Sequence, residues 1–345
     1  MGKMAATIND IARYARVSKS TVSRVLNNAQ TVSEEARSSV HAAMAALNYK
    51  LNATARNLAR QRSDMVAVVI QDIRNPYYSI ASWHAELLLE EQGFHMIVFN
   101  ADNDSARERE ILETVLSLRV CGILCVGGNK DQTNLVNFHS KNDLPIVLVD
   151  REAHGYDIPS INLDNRAGGV TATDFLFSLG HRSFLFATSD FTDAELHRRE
   201  GFYESLHKHG VPRGAGLLFC QSEEKWSQGV LEGLEHFFTD PKRPSAVFAS
   251  NDLKAMHIIR FLARKGISVP RDVSVLGFDD VPFSSLMVPS LTTMRQPQQE
   301  MIGAGIALLA SLIVGEEVAS PKRLLLPQLV KRESTRSIDE STRRR

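Results

Sequence analysis

The sequence predicts an N-terminal all-α helix-turn-helix head followed by an α/β body of two lobes, each a parallel sheet with helices on both faces. Three observations carry that expectation. Residues 1–62 hold ten Lys and Arg against three acids, a net +7, although the 345-residue chain is neutral overall and its remainder therefore carries −7. Within the basic segment, two short helical patterns meet at a tight turn near Arg16-Val17. From residue 64 onward, short apolar runs alternate with polar turns and helix-length stretches. A basic head on an acidic body is the electrostatic footprint of a nucleic-acid binder.

The head reads in order. Thr7 is placed to cap a first helix from Ile8 to about Ala15, with Asp10 in capping-box position. Ile11, Ala12 and Ala15 share its inner face, Arg16-Val17 makes the turn, and Ser18 caps a second helix through Leu26. Val22, Val25 and Leu26 give that helix a buried stripe, while Lys19, Ser20, Ser23 and Arg24 occupy the opposite face. In a helix-turn-helix the second helix lies in the major groove. Lys19, Ser20 and Arg24 are suited to base edges there, and Thr21 and Ser23 to phosphates. A third helix begins at Ser33 with Glu34-Glu35, and its Val40, Met44 and Leu47 close a small core. An ordinary helical hairpin with a polar face is the competing reading, which the basic charge and the segment that follows disfavour.

The head resembles that of the lactose/galactose-repressor (LacI/GalR) family. The resemblance rests on Thr7-Ile8, Ile11-Ala12, Val17-Ser18, Thr21-Val22-Ser23-Arg24-Val25-Leu26-Asn27, Val32-Ser33 and Asn48-Tyr49, and continues through Asn52, Ala55-Arg56 and Leu58. It implies DNA-binding roles for Thr7, Lys19, Ser20, Thr21, Ser23, Arg24, Asn27, Asn52, Ala55 and Leu58. In that family the segment around Asn52–Leu58 is a hinge helix, and its leucine wedges into the minor groove, kinking the duplex. Two departures stand out. Arg16 occupies a turn position where the family usually has glycine, so a non-glycine is expected in the left-handed region. Leu51 stands where the family commonly has proline before the hinge asparagine.

The body's runs are Val66–Ile70, His95–Phe99, Ile123–Val126, Ile146–Val149, Phe184–Ala187, Ala246–Ala249 and Val273–Leu276. Short continuous apolar runs between helical stretches indicate parallel strands buried on both faces. The family resemblance covers this region and implies a periplasmic-binding-protein-like body whose chain crosses between lobes three times, near 161–163, 291–295 and 321–324. The expected domains are a helix-turn-helix head at 1–50, a hinge helix and linker at 51–62, a body at 63–335, and a polar basic tail at 336–345. The N-terminal lobe would take about 64–161 plus 295–321, and the C-terminal lobe about 162–291 plus 323–335.

Open parallel sheets bind ligands beyond the carboxyl ends of their strands. Polar groups stand at many of those ends: Gln71-Asp72, Asn100, Asp150-Arg151, Asn251-Asp252 and Asp279-Asp280. Taken alone, each of these is better read as a cap on the next helix than as a ligand contact. The family resemblance implies effector contacts from Tyr77, Tyr78, Asp150, Arg198, Trp226, Asn251, Asp279 and Gln296. Carboxylates would accept from hydroxyls, and a flat ring would cover an apolar sugar face. Arg198 would also accept a sugar acid or phosphate bidentately.

Other classes are weaker. The sequence has no GxSxG, HExxH, P-loop or GxGxxG in the context each requires, and its eleven histidines show no metal-ligand spacing. No catalytic residue, metal or cofactor is expected beyond a small-molecule effector. Three cysteines make no disulfide framework; Cys121 and Cys125 lie in an apolar run and are expected as buried thiols, and Cys220 has no evident partner. The N-terminus lacks a signal-peptide core and no apolar run spans a bilayer, so a cytoplasmic protein with no membrane partner is expected. A periplasmic-type sugar-binding protein without a regulatory role is the alternative, and the basic head stands against it. A constitutive DNA-binding protein is a third possibility, and would need its interlobe cleft filled. The favoured reading is an effector-controlled transcriptional repressor, homodimeric on a near-palindromic operator. Lys331 to Arg345 lacks a leucine heptad for a C-terminal coiled coil.

Overall fold

A computed structural model describes residues 6–26, 31–47, 49, 63–128, 130–189, 191–212, 215–239, 243–318 and 322–338. The chain divides into two compact units, residues 1–63 and 64–345.

In the first unit, helix α1 (Ile8–Tyr14) starts at a reciprocal cap: the Asp10 amide donates to the Thr7 hydroxyl oxygen and the Thr7 amide donates to the Asp10 carboxylate. It ends in a Schellman turn, with the Val17 amide donating to the Ala12 carbonyl and the Arg16 amide to that of Arg13. That turn needs a left-handed residue, and Arg16 supplies it at φ 53°, as the sequence departure implies. The Ser18 hydroxyl oxygen then accepts from the Thr21 amide at 3.0 Å, capping α2 (Lys19–Leu26). Ser33 caps α3 (Glu34–Ala46). Ile11, Val22, Val25, Val40 and Ala43 form the closed centre of this small core, with Met44, Leu47 and Tyr49 packed around it.

The second unit holds two six-stranded sheets. The strands and helices of its first half are β1 (Met65–Ile70), α4 (Pro76–Glu91), β2 (His95–Asn100), α5 (Ser105–Ser117), β3 (Gly122–Val126), α6 (Thr133–Lys141), β4 (Ile146–Val149) and β5 (Ser160–Leu163). The second half runs α7 (Asn165–Ser178), β6 (Phe184–Thr188), α8 (Asp193–Lys208), β7 (Gly216–Cys220), α9 (Glu223–Ser227), α10 (His236–Thr239), β8 (Ala246–Ala249), α11 (Asp252–Arg264), β9 (Ser274–Asp279), α12 (Pro282–Leu286) and β10 (Thr292–Arg295). The chain then returns through α13 (Gln298–Val314), β11 (Lys322–Leu325) and β12 (Gln328–Val330).

The first sheet has the order β11-β5-β4-β3-β1-β2 and is parallel throughout. The second has the order β12-β10-β9-β8-β6-β7 and is parallel except for β12, which runs antiparallel to β10. Alternation along each strand feeds two layers. Val66, Val68 and Ile70 face α4 and α13, whereas Ala67 and Val69 face α5 and α6. Burial on both sides explains why these strands read as unbroken apolar runs.

All seven expected runs are strands. The three crossings between lobes lie further along the chain than expected. Residues 161–163, 292–295 and 322–324 fall inside β5, β10 and β11, and the chain changes lobe after Leu163, Arg295 and Leu325. Each of these strands has only four residues and a polar composition (Ser-Ile-Asn-Leu, Thr-Thr-Met-Arg, Lys-Arg-Leu-Leu), so it reads as a linker although its backbone extends a sheet. Residues 292–295 thus belong with the second sheet, and residues 162–163 and β11 with the first. The tail expected from 336 also starts later. Arg336 donates through its amide to the Ser274 hydroxyl oxygen, and the Ile338 amide donates to the Leu179 carbonyl.

Candidate functional site

On the head, Lys19, Ser20, Ser23 and Arg24 lie on the exposed face of α2 and Thr21 at its margin, opposite buried Val22 and Val25. The Ser18 hydroxyl meets those of Ser20 at 2.7 Å and Thr21 at 2.8 Å, which holds the start of this helix in one arrangement. Thr7 is exposed, with its hydroxyl donating to Asp10. Asn27, Asn52, Ala55 and Leu58, and the whole hinge at 51–62, lie outside the described residues.

In the body, a cavity of about 290 Å³ opens between the lobes, at the carboxyl ends of the strands. That is the small end of the usual range for ligand sites. Tyr77, Tyr78, Asp150, Arg198, Trp226, Asn251, Asp279 and Gln296 all line it.

The two carboxylates stand where strands stop. Asp150 follows β4 at φ 53°, and Asp279 ends β9 at φ 117°, both in the left-handed region that non-glycine residues adopt at some cost. Asp279 is buried, and the neighbouring Asp280 instead pairs with Arg295 and Arg332, each at 2.6 Å. Asp150 Oδ1 is buried without a hydrogen-bond partner. Burial raises the Asp150 carboxyl above its ordinary value against the pull of Arg198, and does the same more strongly to Asp279.

Arg198 is held between them by a close helix crossing. A Cβ at Gly169 of α7 would collide with the Arg198 carbonyl, and one at Gly201 of α8 with the Arg166 carbonyl. The guanidinium donates to Asn165 Oδ1 at 2.8 Å and to the Ser250 carbonyl at 2.7 Å, lies 3.7 Å from Asp279, and stacks 3.7 Å above the Phe278 ring.

Across the cleft, Asn75 caps α4 and Pro76 occupies its first turn, which presents Tyr77 and Tyr78 side by side with rings edge to face at 5.1 Å. The Tyr77 hydroxyl donates to Gln296, and the Gln296 amide donates to Asp279 at 2.7 Å, so one chain of bonds joins the lobes. The Tyr78 hydroxyl donates to Gln71 at 2.6 Å. Burial raises both phenols well above their ordinary values, and Asp150 and Asp279 add to the shift.

Two residues serve as structure and as lining at once. The Trp226 ring is only 2 % exposed, with its indole N–H donating to the Thr188 carbonyl and its face packed edge-on against Phe219. Asn251 caps α11 by accepting from the Lys254 amide. The capping alternative raised from the sequence therefore holds for Asn251 even as it borders the cavity.

Sequence reading missed a buried charged cluster in the same wall. The Lys254 ammonium donates to Glu195 at 2.7 Å and to Glu223 at 2.5 Å, and the Ser189 and Ser250 hydroxyls donate to the same carboxylates. Burial would raise the Glu195 carboxyl, but Lys254 outweighs it and holds the group down at about 2. Burial would likewise lower the Lys254 ammonium, and the two glutamates raise it instead. In sequence Lys254 looks like a solvated helix lysine and Glu195 like a first-turn acid answering the helix dipole. The available signal was spacing: Glu195 lies three residues before Arg198 on one helix face. Asp72, Arg74 and Asn103 complete the rim. Among the described residues there is no group of three or more potential metal ligands, and no helix is long and apolar enough to cross a membrane.

A helix-turn-helix head joined in one chain to a two-lobed body with a polar interlobe cleft defines a class: DNA-binding transcriptional regulators with a ligand-binding-type body. Residues 7–52 match the model of bacterial regulatory proteins of the lacI family, and residues 173–335 match a periplasmic binding protein-like domain. The chain is 31 % identical over 335 residues to catabolite control protein A of Staphylococcus xylosus, covering 96 % of this chain and 99 % of that one. Its fold matches the lac repressor dimer bound to operator and the anti-inducer ONPF, with a TM-score of 0.83, 25 % identity, and coverage of 96 % and 99 %. It also matches the transcriptional regulator CelR in complex with cellobiose, with a TM-score of 0.71, 27 % identity, and coverage of 95 % and 99 %. This protein belongs to the lacI family of transcriptional regulators and is not an enzyme.

Proposed function

We propose that this regulator is a repressor that binds a near-palindromic operator as a homodimer, and that a sugar or sugar derivative held between its lobes sets its affinity for DNA. In this reading Lys19, Ser20 and Arg24 meet base edges, Thr7, Thr21, Ser23 and Asn27 support the phosphate contacts, and Asn52, Ala55 and Leu58 form the hinge, with Leu58 as the minor-groove wedge. Tyr77, Tyr78, Asp150, Arg198, Trp226, Asn251, Asp279 and Gln296 receive the effector, and no cofactor takes part.

The observation that carries the reading is the cleft itself. It is polar and contributed by both lobes, so a ligand there has different contacts in different lobe settings. Differential affinity of that kind is what couples a ligand to a distant DNA site. The cellobiose complex of the similar CelR protein and the operator-bound lac repressor support the same assignment.

The test is Arg198→Ala in the full chain. Operator binding in the absence of effector should persist, while a sugar that changes operator affinity of the parent protein should lose at least tenfold of its effect. A variant that responds as the parent does would show that the effector sits elsewhere.

A further inference from the structure

The sugar-binding reading leaves open which derivatives fit, and the charges of the cleft decide it. We infer that the effector is a polyol bearing only hydroxyl or amino donors, and that the cleft rejects phosphorylated and acidic sugars. This rests on the effector reading above and narrows it.

Each cation that lines the cavity is already paired with a carboxylate. Lys254 is fully engaged between Glu195 and Glu223, and its side chain is only 2 % exposed. Arg198 directs Nε to Asn165 and Nη1 to the Ser250 carbonyl, has the Asp279 carboxylate 3.7 Å away as its counter-ion, and lays its face on Phe278. Arg74, at the rim, forms a two-bond contact with Asp72 and a further one of 2.6 Å with Asp102. A phosphate drawn to Lys254 or Arg198 would compete with Glu195, Glu223 or Asp279 for its counter-ion, and a buried carboxylate that loses its partner is the costly outcome.

Acceptors, in contrast, are left over. Asp150 Oδ1 is buried, borders the cavity and has no partner. Five carboxyl side chains line the cavity (Asp72, Asp150, Glu195, Glu223 and Asp279) against the three cations just described, so acceptor oxygens outnumber the cations that could answer them. The same field is felt by Tyr77 and Tyr78, whose phenols Asp150 and Asp279 push further up. A buried acceptor without a donor is satisfied by a ligand O–H or N–H and repelled by a ligand oxyanion.

The experiment is a thermal-shift panel on the full chain with D-glucose, D-galactose, D-ribose, D-fructose, cellobiose and D-glucosamine, alongside glucose 6-phosphate, galactose 6-phosphate, ribose 5-phosphate, fructose 6-phosphate and glucuronate. Any hit is then titrated against Asp150→Asn, a change that keeps the side-chain shape and tolerates the left-handed backbone. The expected result is stabilisation by one or more neutral or amino sugars, none by their phosphates or by the acid, and at least a tenfold weaker Kd in the Asn variant. A phosphate or uronate that stabilises as much as its parent sugar overturns the inference while leaving the sugar reading standing. So does a hit whose affinity is unchanged in the Asn variant. Silence across the whole panel overturns the sugar reading itself, and this inference with it.

Discussion

At the scale of single residues, Arg16 shows how a local departure is absorbed. The Schellman turn at the end of α1 fixes where the left-handed residue must be, and the side chain that occupies it at φ 53° is not the one that geometry favours. A non-glycine in that region costs roughly 1–2 kcal/mol, and glycine returns about 0.5–1 kcal/mol of that through chain entropy. Arg16→Gly should therefore stabilise the head by about 0.5–1 kcal/mol, slowing exchange of the buried Val22 and Val40 amides by roughly two- to fivefold. It also removes an exposed positive charge from the head, so affinity for operator and random DNA should fall together. Exchange that is unchanged or faster would mean the turn carries no strain. This site was legible because motif and conformation agree on one position. The cleft carboxylates were legible for a similar reason, since Asp150 and Asp279 stand at strand ends where only a turn can follow.

At the scale of elements, the apolar strands announced themselves and the short polar ones did not. β5, β10 and β11 have four residues each and polar members, so nothing in their composition separates them from linkers; partners far away in the chain make them strands. The buried side chains of α11 hid for a related reason. Asp252 and Lys254 follow a helix cap and read as ordinary surface charges, yet both are almost wholly buried. Asp252 ties three elements together, accepting from the Val281 amide at 3.0 Å, the Ser284 hydroxyl at 2.6 Å and the Thr293 hydroxyl at 2.5 Å. Burial outweighs those bonds and pushes its carboxyl up from 3.8 to about 7. An acid raised in this way keeps its proton longer when folded. Its stabilising contribution is complete below about pH 4 and is lost as pH rises through 7, by an amount on the order of a few kcal/mol. Glu195 acts in the opposite sense: held at about 2, it contributes above pH 4.5 and is lost as pH falls toward 2. Asp252→Asn should flatten the decline of body stability between pH 4 and 7 while leaving the acid limb in place. Urea unfolding at several pH values measures this, and a slope that survives the substitution would assign it to another group.

At the scale of the whole body, closure of the cleft is governed by contacts at its mouth as well as by those around the ligand. Besides the Tyr77–Gln296–Asp279 chain, the Lys130 amide donates to the Phe191 carbonyl at 3.3 Å across the lobes. Beside it, Gln132 accepts from the His154 amide at 2.8 Å and donates to Asp193 at 3.4 Å, so one side chain of the first lobe spans to the start of α8 in the second. These groups lie outside the cavity lining, so changing them alters the preference between lobe settings and leaves the ligand's own partners intact. Gln132→Ala removes a bridge worth about 1 kcal/mol to the closed setting, which makes a bound effector leave about fivefold faster. Trp226 borders the cavity, and its fluorescence in a stopped-flow displacement provides the readout. Linkage then demands a second effect: whatever the substitution takes from effector binding through lobe closure must change the effector's influence on operator affinity in a correlated way. A variant with faster effector release and an unaltered operator response would separate closure from DNA control, and would place the coupling between the sites in some other motion of the body.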